Sequence, residues 1–440
     1  MRYFKYNLVF LLFINLLIVQ PIYAEEFEVH ITRGKIEAFP IAIPAMFGDQ
    51  HAQEITEIIK ADLHRSGIFR LLDPRAFIQT PESLKTAPRF SDWRLINAKA
   101  LVTGHVTPDV GGQYRISYQL FDVYLDRETD RFEKTFTLSE LRKVAHAISD
   151  RIYERIIGIP GYFNTRIAYI AESGHPKARQ KRLALMDQDG FNQEFLTKAE
   201  TGMVITPRFC PTRPEITYMA YRNHQARIYV MDLNTRQERQ LGSFANMTFA
   251  PRYSLDGNKL IMSYAENNGD SDIYIMDLKT RQNKRLTANT SLNTSPSLSP
   301  DGSKVVFNSD RGGSQQLYVM NADGSDQKRI SFNGTKYATP VWSPLGDLIA
   351  FTKVFNGQYH IGVMRPDGSN ERILTKGYNM AEGPEWAPNG RLLTYYCQSL
   401  RDRQGKAQVN LYTIHVSGEH EQWLRTTTDA SDPSWSPLIR

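Results

Sequence analysis

The chain has little cysteine and no long apolar run. Cys210 and Cys397 are its only two cysteines, and two cysteines without histidines at ligand spacing do not make a zinc site. The apolar stretch at residues 8–19 is shorter than the roughly 20 residues that a helix needs to cross a bilayer. The composition therefore excludes a cysteine-based metal centre and predicts no segment that inserts directly into a membrane.

The sequence also lacks the motifs of common catalytic sites. It contains no G-x-S-x-G pentapeptide for a hydrolase nucleophile, no G-x-x-x-x-G-K-[ST] phosphate loop and no G-x-G-x-x-G. His420 and Glu421 are followed by Gln-Trp-Leu, so the zinc-binding H-E-x-x-H pattern is missing, and the ten histidines are scattered. We therefore predict that the chain is not an enzyme and uses neither a metal nor a cofactor.

The first 24 residues have the order of a secretory signal. Arg2 and Lys5 precede the apolar stretch at 8–19, and the small residue Ala24 follows it. We expect cleavage after Ala24 and export of a soluble mature chain. Losing the two basic residues lowers the formal net charge from +6 to +4, which is too small to indicate a nucleic-acid-binding protein.

The sequence does contain a repeat. The phrase S-P-S-L-S-P-D-G, followed by a β-rich strand and by L-Y-V-M-N, recurs in variant form every 44 to 49 residues, close to the period of a four-stranded propeller blade. Turn signals such as Asp301-Gly302 and Asp187-x-Asp189-Gly190 predict hairpin turns rather than calcium loops, and helical periodicity is missing. The leading prolines of the six copies are Pro207, Pro251, Pro296, Pro340, Pro384 and Pro433.

The repeat predicts a mainly β fold, a six-bladed β-propeller over residues 163–440. The first blade region, 165–197, has no proline phrase before it, whereas the sixth phrase comes at the end of the chain. Because the two fragments complement each other, we expect the C-terminal strand to become the innermost strand of blade one and to close the ring. Cys210 and Cys397 then fall on blades two and six, too far apart for a disulfide, so we expect free thiols.

Residues 25–162 lack the repeat and predict a small α/β domain. The apolar segment at 39–47 contains prolines and is typical of a strand near a sheet edge. Apolar residues at helical spacing predict one helix that stops at Gly67 and another between Ser139, as its N-cap, and Gly158. Strands are predicted between the two helices, at 100–106, 114–124 and 132–138.

An exported chain with this small domain and six repeats of P-x-[WYL]-S-P-D-G and [IL]-Y-[IV]-M-[DN] resembles the TolB family, the periplasmic propeller proteins of the Tol–Pal system. The resemblance extends over the mature chain, from the junction at 165–169 to the ending at 433–437. It implies a monomeric, non-enzymatic periplasmic adaptor between the inner-membrane protein TolA and the outer-membrane lipoprotein Pal, supporting envelope integrity and constriction at division. The alternative is a propeller-containing periplasmic hydrolase or peptidase-like protein, against which the missing hydrolase domain argues.

In a propeller, the strand nearest the axis starts at the same face in every blade. The residues just before the six repeat prolines of this chain should therefore surround one mouth of the central channel, here called the funnel. Small side chains leave a shallow depression there, and methionines offer adaptable apolar contact. The resemblance implies that Pal docks at this mouth and that Met247, Ala250 and Thr294 match family positions that affect Pal binding. The funnel residues expected to bind Pal are Thr206, Met247, Ala250, Thr294, Ser295, Thr339, Met380, Glu382 and Asp432.

The mature N-terminus, residues 25–31, alternates polar and apolar side chains. Such a segment can add to the sheet edge of a partner through main-chain hydrogen bonds, and the alternative is a frayed terminus. The resemblance implies that this terminus binds TolA and can instead fold back on the protein. The residues assigned to TolA are Glu28, Val29, His30 and Ile31. Other envelope proteins or toxins stay open as further partners.

Overall fold

The computed structural model describes residues 31–32, 35–36, 38–175, 178–199, 202–223, 225–241, 248–265, 269–332, 334–399 and 407–438. For residues 31–32, 35–36 and 248–250 it describes the backbone alone. The predicted signal sequence therefore lies outside the described residues, as do Glu28, Val29, His30 and Met247. Among the helices of the described residues, none combines the length and apolar character that a bilayer crossing requires.

The N-terminal part is a small α/β domain, as predicted. Its five-stranded sheet has the strand order β4-β3-β5-β6-β7, and helices α1 and α3 pack against each other and against this sheet. A separate hairpin of β1 and β2 precedes the sheet. The elements are β1 (Ile31–Thr32), β2 (Lys35–Ile36), β3 (Phe39–Ala42), α1 (Gln50–Arg65), β4 (Phe69–Leu71), α2 (Phe90–Leu95), β5 (Ala100–Pro108), β6 (Tyr114–Asp122), β7 (Arg127–Phe136) and α3 (Leu141–Ile157), with short 3₁₀ turns at Pro74–Ala76, Ser83–Lys85, Val110–Gly112 and Leu138–Glu140.

The strand expected near a sheet edge, β3, lies one strand in from the edge. β3 pairs in parallel with β4 on one side and with β5 on the other. Pro40 is tolerated there because β5 begins only opposite Ile41, so no ladder partner faces the missing N–H of Pro40. The carbonyl of Pro40 still accepts the N–H of Lys99 at 3.0 Å. β3 is therefore near the edge, as predicted, but Pro40 does not mark the edge strand itself, which is β4.

The closing helix α3 begins differently from the prediction. Its first turn is a 3₁₀ turn capped by Thr137, whose side chain and that of Glu140 form a reciprocal capping box. Ser139 lies inside this turn, so its assignment as the N-cap was wrong. The predicted stop is confirmed, because Gly158 takes the left-handed conformation at φ 79° that ends the helix. The apolar stripe of α3 is buried in the core that joins the two domains.

The C-terminal part is a six-bladed β-propeller, as predicted, with four antiparallel strands in each blade. Blade one contains β8 (Arg166–Ser173), β9 (Gln180–Asp187) and β10 (Glu194–Phe195), joined by β31 (Asp429–Trp435). Blade two contains β11 (Met203–Phe209), β12 (Glu215–Arg222), β13 (Gln225–Asp232) and β14 (Glu238–Gln240). Blade three contains β15 (Thr248–Tyr253), β16 (Lys259–Ala265), β17 (Ser271–Asp277) and β18 (Asn283–Arg285).

The remaining three blades follow the same pattern along the chain. Blade four contains β19 (Asn293–Leu298), β20 (Lys304–Ser309), β21 (Gln316–Asn321) and β22 (Lys328–Arg329). Blade five contains β23 (Lys336–Trp342), β24 (Ile349–Phe355), β25 (Gln358–Met364) and β26 (Arg372–Ile373). Blade six contains β27 (Met380–Trp386), β28 (Leu392–Gln398), β29 (Val409–His415) and β30 (Gln422–Leu424).

The predicted closure of the ring is confirmed. The sheet of blade one has the order β10-β9-β8-β31, so the C-terminal strand is its innermost strand. The indole Nε1 of Trp435 donates to Thr165 Oγ1 at 2.8 Å, and its ring packs edge-on against Tyr162. Cys210 and Cys397, on blades two and six, are both free and buried.

Each inner strand carries a β-bulge at its repeat proline. In blade two, for example, the register shifts between Ile205 and Arg208, so Thr206 and Pro207 face a single residue of β12. The same shift occurs in all six blades. A bulge leaves its extra residue unpaired, so the missing N–H of the proline costs no ladder hydrogen bond.

Helices α1 and α3 meet blade one in a buried cluster of charged side chains, here called the interdomain joint. Asp62 of α1 accepts a hydrogen bond from Gln188 at 3.1 Å and lies 2.7 Å from His146 Nδ1 of α3. Asp189 pairs with Arg142 of α3 and lies 3.7 Å from Arg65 of α1. Two guanidinium groups thus offset the two carboxylates, an arrangement that suits ion pairing better than a bound metal cation.

Asp150 of α3 holds the linker between the domains. Its carboxylate accepts the backbone N–H groups of Phe163 at 2.7 Å and Asn164 at 3.0 Å. Burial raises the pKa of Asp150 to about 7, although these two hydrogen bonds act in the opposite direction. Burial lowers the pKa of His146, but the neighbouring carboxylates outweigh it and leave the pKa raised.

The raised pKa values of Asp150 and His146 predict that the contacts between the two domains weaken as the pH rises. An acid whose pKa is raised in the folded state stabilises it below the unfolded pKa, and this stabilisation is lost as the pH rises through the folded value. The free energy of unfolding of wild type, minus that of Asp150→Asn, should therefore fall between pH 5 and 8, by roughly 2 kcal/mol. Denaturant titrations across this pH range measure the difference. A difference that does not change with pH would contradict a raised pKa of Asp150 in the folded protein.

Candidate functional site

The direction of the strands places the predicted funnel at one face of the propeller. Every inner strand starts at this face, every second strand ends there, and the interdomain joint involves turns at the opposite face. Residues that immediately precede the repeat prolines lie at the bulges close to this mouth. Those described with left-handed backbone are Thr206 (φ 49°), Ser295 (φ 52°), Thr339 (φ 45°), Gly383 (φ 66°) and Asp432 (φ 48°).

Seven of the nine predicted funnel residues have described side chains, and all seven are half-buried. They are Thr206, Thr294, Ser295, Thr339, Met380, Glu382 and Asp432. Ala250 lies in β15 but is described at the backbone only, and Met247 lies outside the described residues. The structure therefore brings the described members to one mouth, partly open to solvent, as a binding surface requires.

Two carboxylates lie inside the funnel. Asp432 is 3.5 Å from the backbone N of Thr206, and Glu382 accepts the hydroxyl of Tyr396 at 3.0 Å. Burial raises the pKa of Asp432, although Arg208 acts in the opposite direction. Burial likewise raises the pKa of Glu382, although its bond from Tyr396 favours the ionised form. The funnel therefore presents acidic groups whose charge is costly to keep away from water.

Four apolar side chains at the same face were missed by sequence reasoning. They are Met203, Leu292, Phe332 and Phe355, here called the apolar rim, and they are 41%, 41%, 57% and 49% exposed. Phe332 follows β22, Phe355 ends β24, and Met203 starts β11. Aromatic residues and methionine are enriched in protein interfaces. Their position where strands meet the mouth is the signal that could have revealed them.

Below the funnel, the residues that follow the six repeat prolines form a layer around the channel, here called the channel ring. Its members are Arg208, Arg252, Ser297, Val341, Glu385 and Ser434. Arg252 of blade three and Glu385 of blade six lie on opposite sides of the six-bladed ring, yet Arg252 Nη2 and Glu385 Oε2 are 2.7 Å apart. This ion pair therefore crosses the channel and separates the funnel from a cavity nearer the opposite face.

The N-terminal residues assigned to TolA are described only at their end. Ile31 is in β1 and pairs with Ile36 of β2 in a short antiparallel hairpin. Glu28, Val29 and His30 lie outside the described residues. The hairpin uses one edge of Ile31, and the other edge has no strand partner among the residues that the structure describes.

Comparison with known proteins identifies both parts of the chain. A family model of the TolB β-propeller domain matches residues 153–439, and one of the TolB amino-terminal domain matches residues 27–129. The chain is 48% identical over 229 residues to the Tol-Pal system protein TolB of Paramagnetospirillum magneticum, a match that covers 51% of each protein. The chain thus spans about half the length of this curated relative.

Solved structures agree with the architecture. The crystal structure of TolB from Acinetobacter baumannii matches with a TM-score of 0.82 at 28% identity, covering 91% of this chain and 97% of that chain. Hydrazine synthase of Kuenenia stuttgartiensis matches with a TM-score of 0.50 at 14% identity, covering 64% of this chain and 48% of that chain. The second likeness shows a similarity of fold alone.

Proposed function

The chain belongs to the TolB family, and on that premise we propose that it is a non-enzymatic periplasmic adaptor of the Tol–Pal system. In this role it binds Pal at the funnel and TolA through its mature N-terminus. It thereby links the outer membrane to the inner-membrane machinery, and it supports envelope integrity and constriction at division. The observation that carries the proposal is the match of both domains, in chain order, to the two TolB family models.

The geometry of the mouth supports docking of Pal there. The described funnel side chains are half-buried, and the apolar rim adds exposed aromatic and methionine surface around them. Such a surface combines a concave polar centre with apolar anchors, which is typical of protein-binding sites. The joint attaches the described part of the N-terminal domain at the opposite face of the propeller.

The N-terminal segment supports a separate site for TolA. The hairpin of β1 and β2 shows that the chain at Ile31 adopts the extended conformation that strand addition requires. A short segment that orders on binding loses roughly 1–2 kcal/mol of conformational entropy per residue, so we expect a modest, micromolar affinity.

Removing residues 25–31 from the mature chain should abolish TolA binding and leave Pal binding unchanged, because the two sites use different surfaces. Calorimetric titration of the full and shortened chains, each with the TolA C-terminal domain and with soluble Pal, measures both. Equal TolA binding by the two chains would show that the terminus is a frayed end. Failure of the full chain to bind Pal would reject the adaptor function itself.

A further inference from the structure

The channel ring holds more positive than negative charge. Arg208 and Arg252 share one ion-pair partner, Glu385, at 3.8 Å and 2.7 Å respectively. Arg252 also donates to Glu385 Oε1 at 3.0 Å, so this carboxylate is engaged mainly by Arg252. The next acid, Asp432, lies towards the funnel, forms no ion pair with Arg208 among the described residues, and has a raised pKa.

Arg208 is left with an unused donor in a buried position. Its Nε makes no hydrogen bond to any residue that the structure describes, and Nη1 bonds only the carbonyl of Pro207, at 2.6 Å. Burial, with the nearby charge of Arg252, lowers the pKa of Arg208 to about 10, although Glu385 and Asp432 act in the opposite direction. The positive charge of Arg208 is therefore poorly compensated, and an additional anion would stabilise it.

The neighbouring members of the ring add hydroxyl donors. Ser297 Oγ accepts the backbone N–H of Trp342 at 3.1 Å, and Ser434 Oγ accepts that of Phe209 at 3.3 Å. Each hydroxyl uses one lone pair in this way and keeps its proton for donation. These residues line a cavity of about 230 Å³ whose walls include Trp342, Trp386 and Trp435, a volume large enough for a small ion with water.

We propose that the channel ring is a binding site for a small anion of carboxylate or phosphate size, held between Arg208 and Arg252. The guanidinium groups supply charge and forked donors, which match the planar or tetrahedral oxygens of such anions. The serine hydroxyls supply additional donors. A cation is disfavoured because it would face two guanidinium groups and a single carboxylate that is already paired.

Bromide provides the most direct probe. In crystals of the full mature chain grown with sodium bromide, we expect an anomalous peak within hydrogen-bonding distance of Arg208 Nε. The peak should disappear in Arg208→Gln and persist in Arg75→Gln, because Arg75 is an exposed arginine of the N-terminal domain that pairs with Asp73. A wild-type crystal without a peak at the ring, or a peak retained in Arg208→Gln, would overturn the proposal.

Titrations in solution identify the source of the anion. Inorganic phosphate and acetate are titrated separately into wild type at constant ionic strength. Binding of either anion supports the site. Binding of acetate but not phosphate would indicate that the natural ligand is a peptide carboxylate. Arg208→Gln should weaken binding at least about tenfold, since it removes charge-assisted hydrogen bonds from a buried site. Arg208→Lys keeps the positive charge but removes the Nε donor. It takes the place of Arg208→Gln in these titrations if the glutamine variant does not fold. Saturable binding by neither anion in wild type would overturn the proposal regardless of the variants.

Discussion

Deletion of residues 429–440 should lower the midpoint of thermal unfolding by about 10 °C or more and cause aggregation. The deletion removes β31, which leaves β8 with an unpaired edge inside the channel and opens the ring between blades one and six. Loss of Trp435 alone should cost about 3–5 kcal/mol, because a large buried side chain leaves a cavity. Because the entropy of unfolding grows with chain length, each kcal/mol corresponds to about 1–2 °C in a chain of this size, so the expected shift depends on losing the whole strand and not Trp435 alone. The exposed strand edges also promote intermolecular pairing.

Deletion of residues 439–440 alone is the matched control, since it shortens the chain but keeps β31. Scanning calorimetry and light scattering of the two truncated chains should separate them clearly. If the longer deletion melted cooperatively at the wild-type temperature, β31 would not be the strand that closes the ring.

The second large effect is expected at the apolar rim. Changing Phe332 and Phe355 together to Asp should weaken Pal binding by at least about thirtyfold, or about 2 kcal/mol, because aromatic anchors commonly dominate an interface. Both side chains are about half exposed, so the fold should tolerate the change. The measurement is a calorimetric titration with soluble Pal.

Leu345→Asp is the matched control for the rim variant. Leu345 is 48% exposed and belongs to blade five, like Phe355, but it lies in the β23–β24 turn at the opposite face. Its replacement should leave the affinity for Pal unchanged while introducing the same type of charge. Equal affinity of the rim variant and wild type would place the Pal site elsewhere on the protein.

The sequence by itself determined the propeller, its six blades and its closure. These features depend on local signals, namely a proline phrase, a turn and alternating strands. Each repeat contains all of these signals, so the blades can be recognised and counted along the chain. The closure followed from counting, because an incomplete first blade and a phrase at the end of the chain must complement each other. The apolar stripe of α3 and its stop at Gly158 were also predictable, because both depend on residues that are close together in the sequence.

Only the tertiary structure decided which distant side chains meet. Asp62 and His146 are 84 residues apart, and Arg252 and Glu385 are 133 residues apart, so no local pattern marks them as partners. The position of β3 also depended on pairing, since Pro40 is typical of an edge strand until the late start of β5 is known. Local periodicity specifies which elements form, whereas the packing of elements that are far apart in the chain specifies the ion pairs, the channel and the joint.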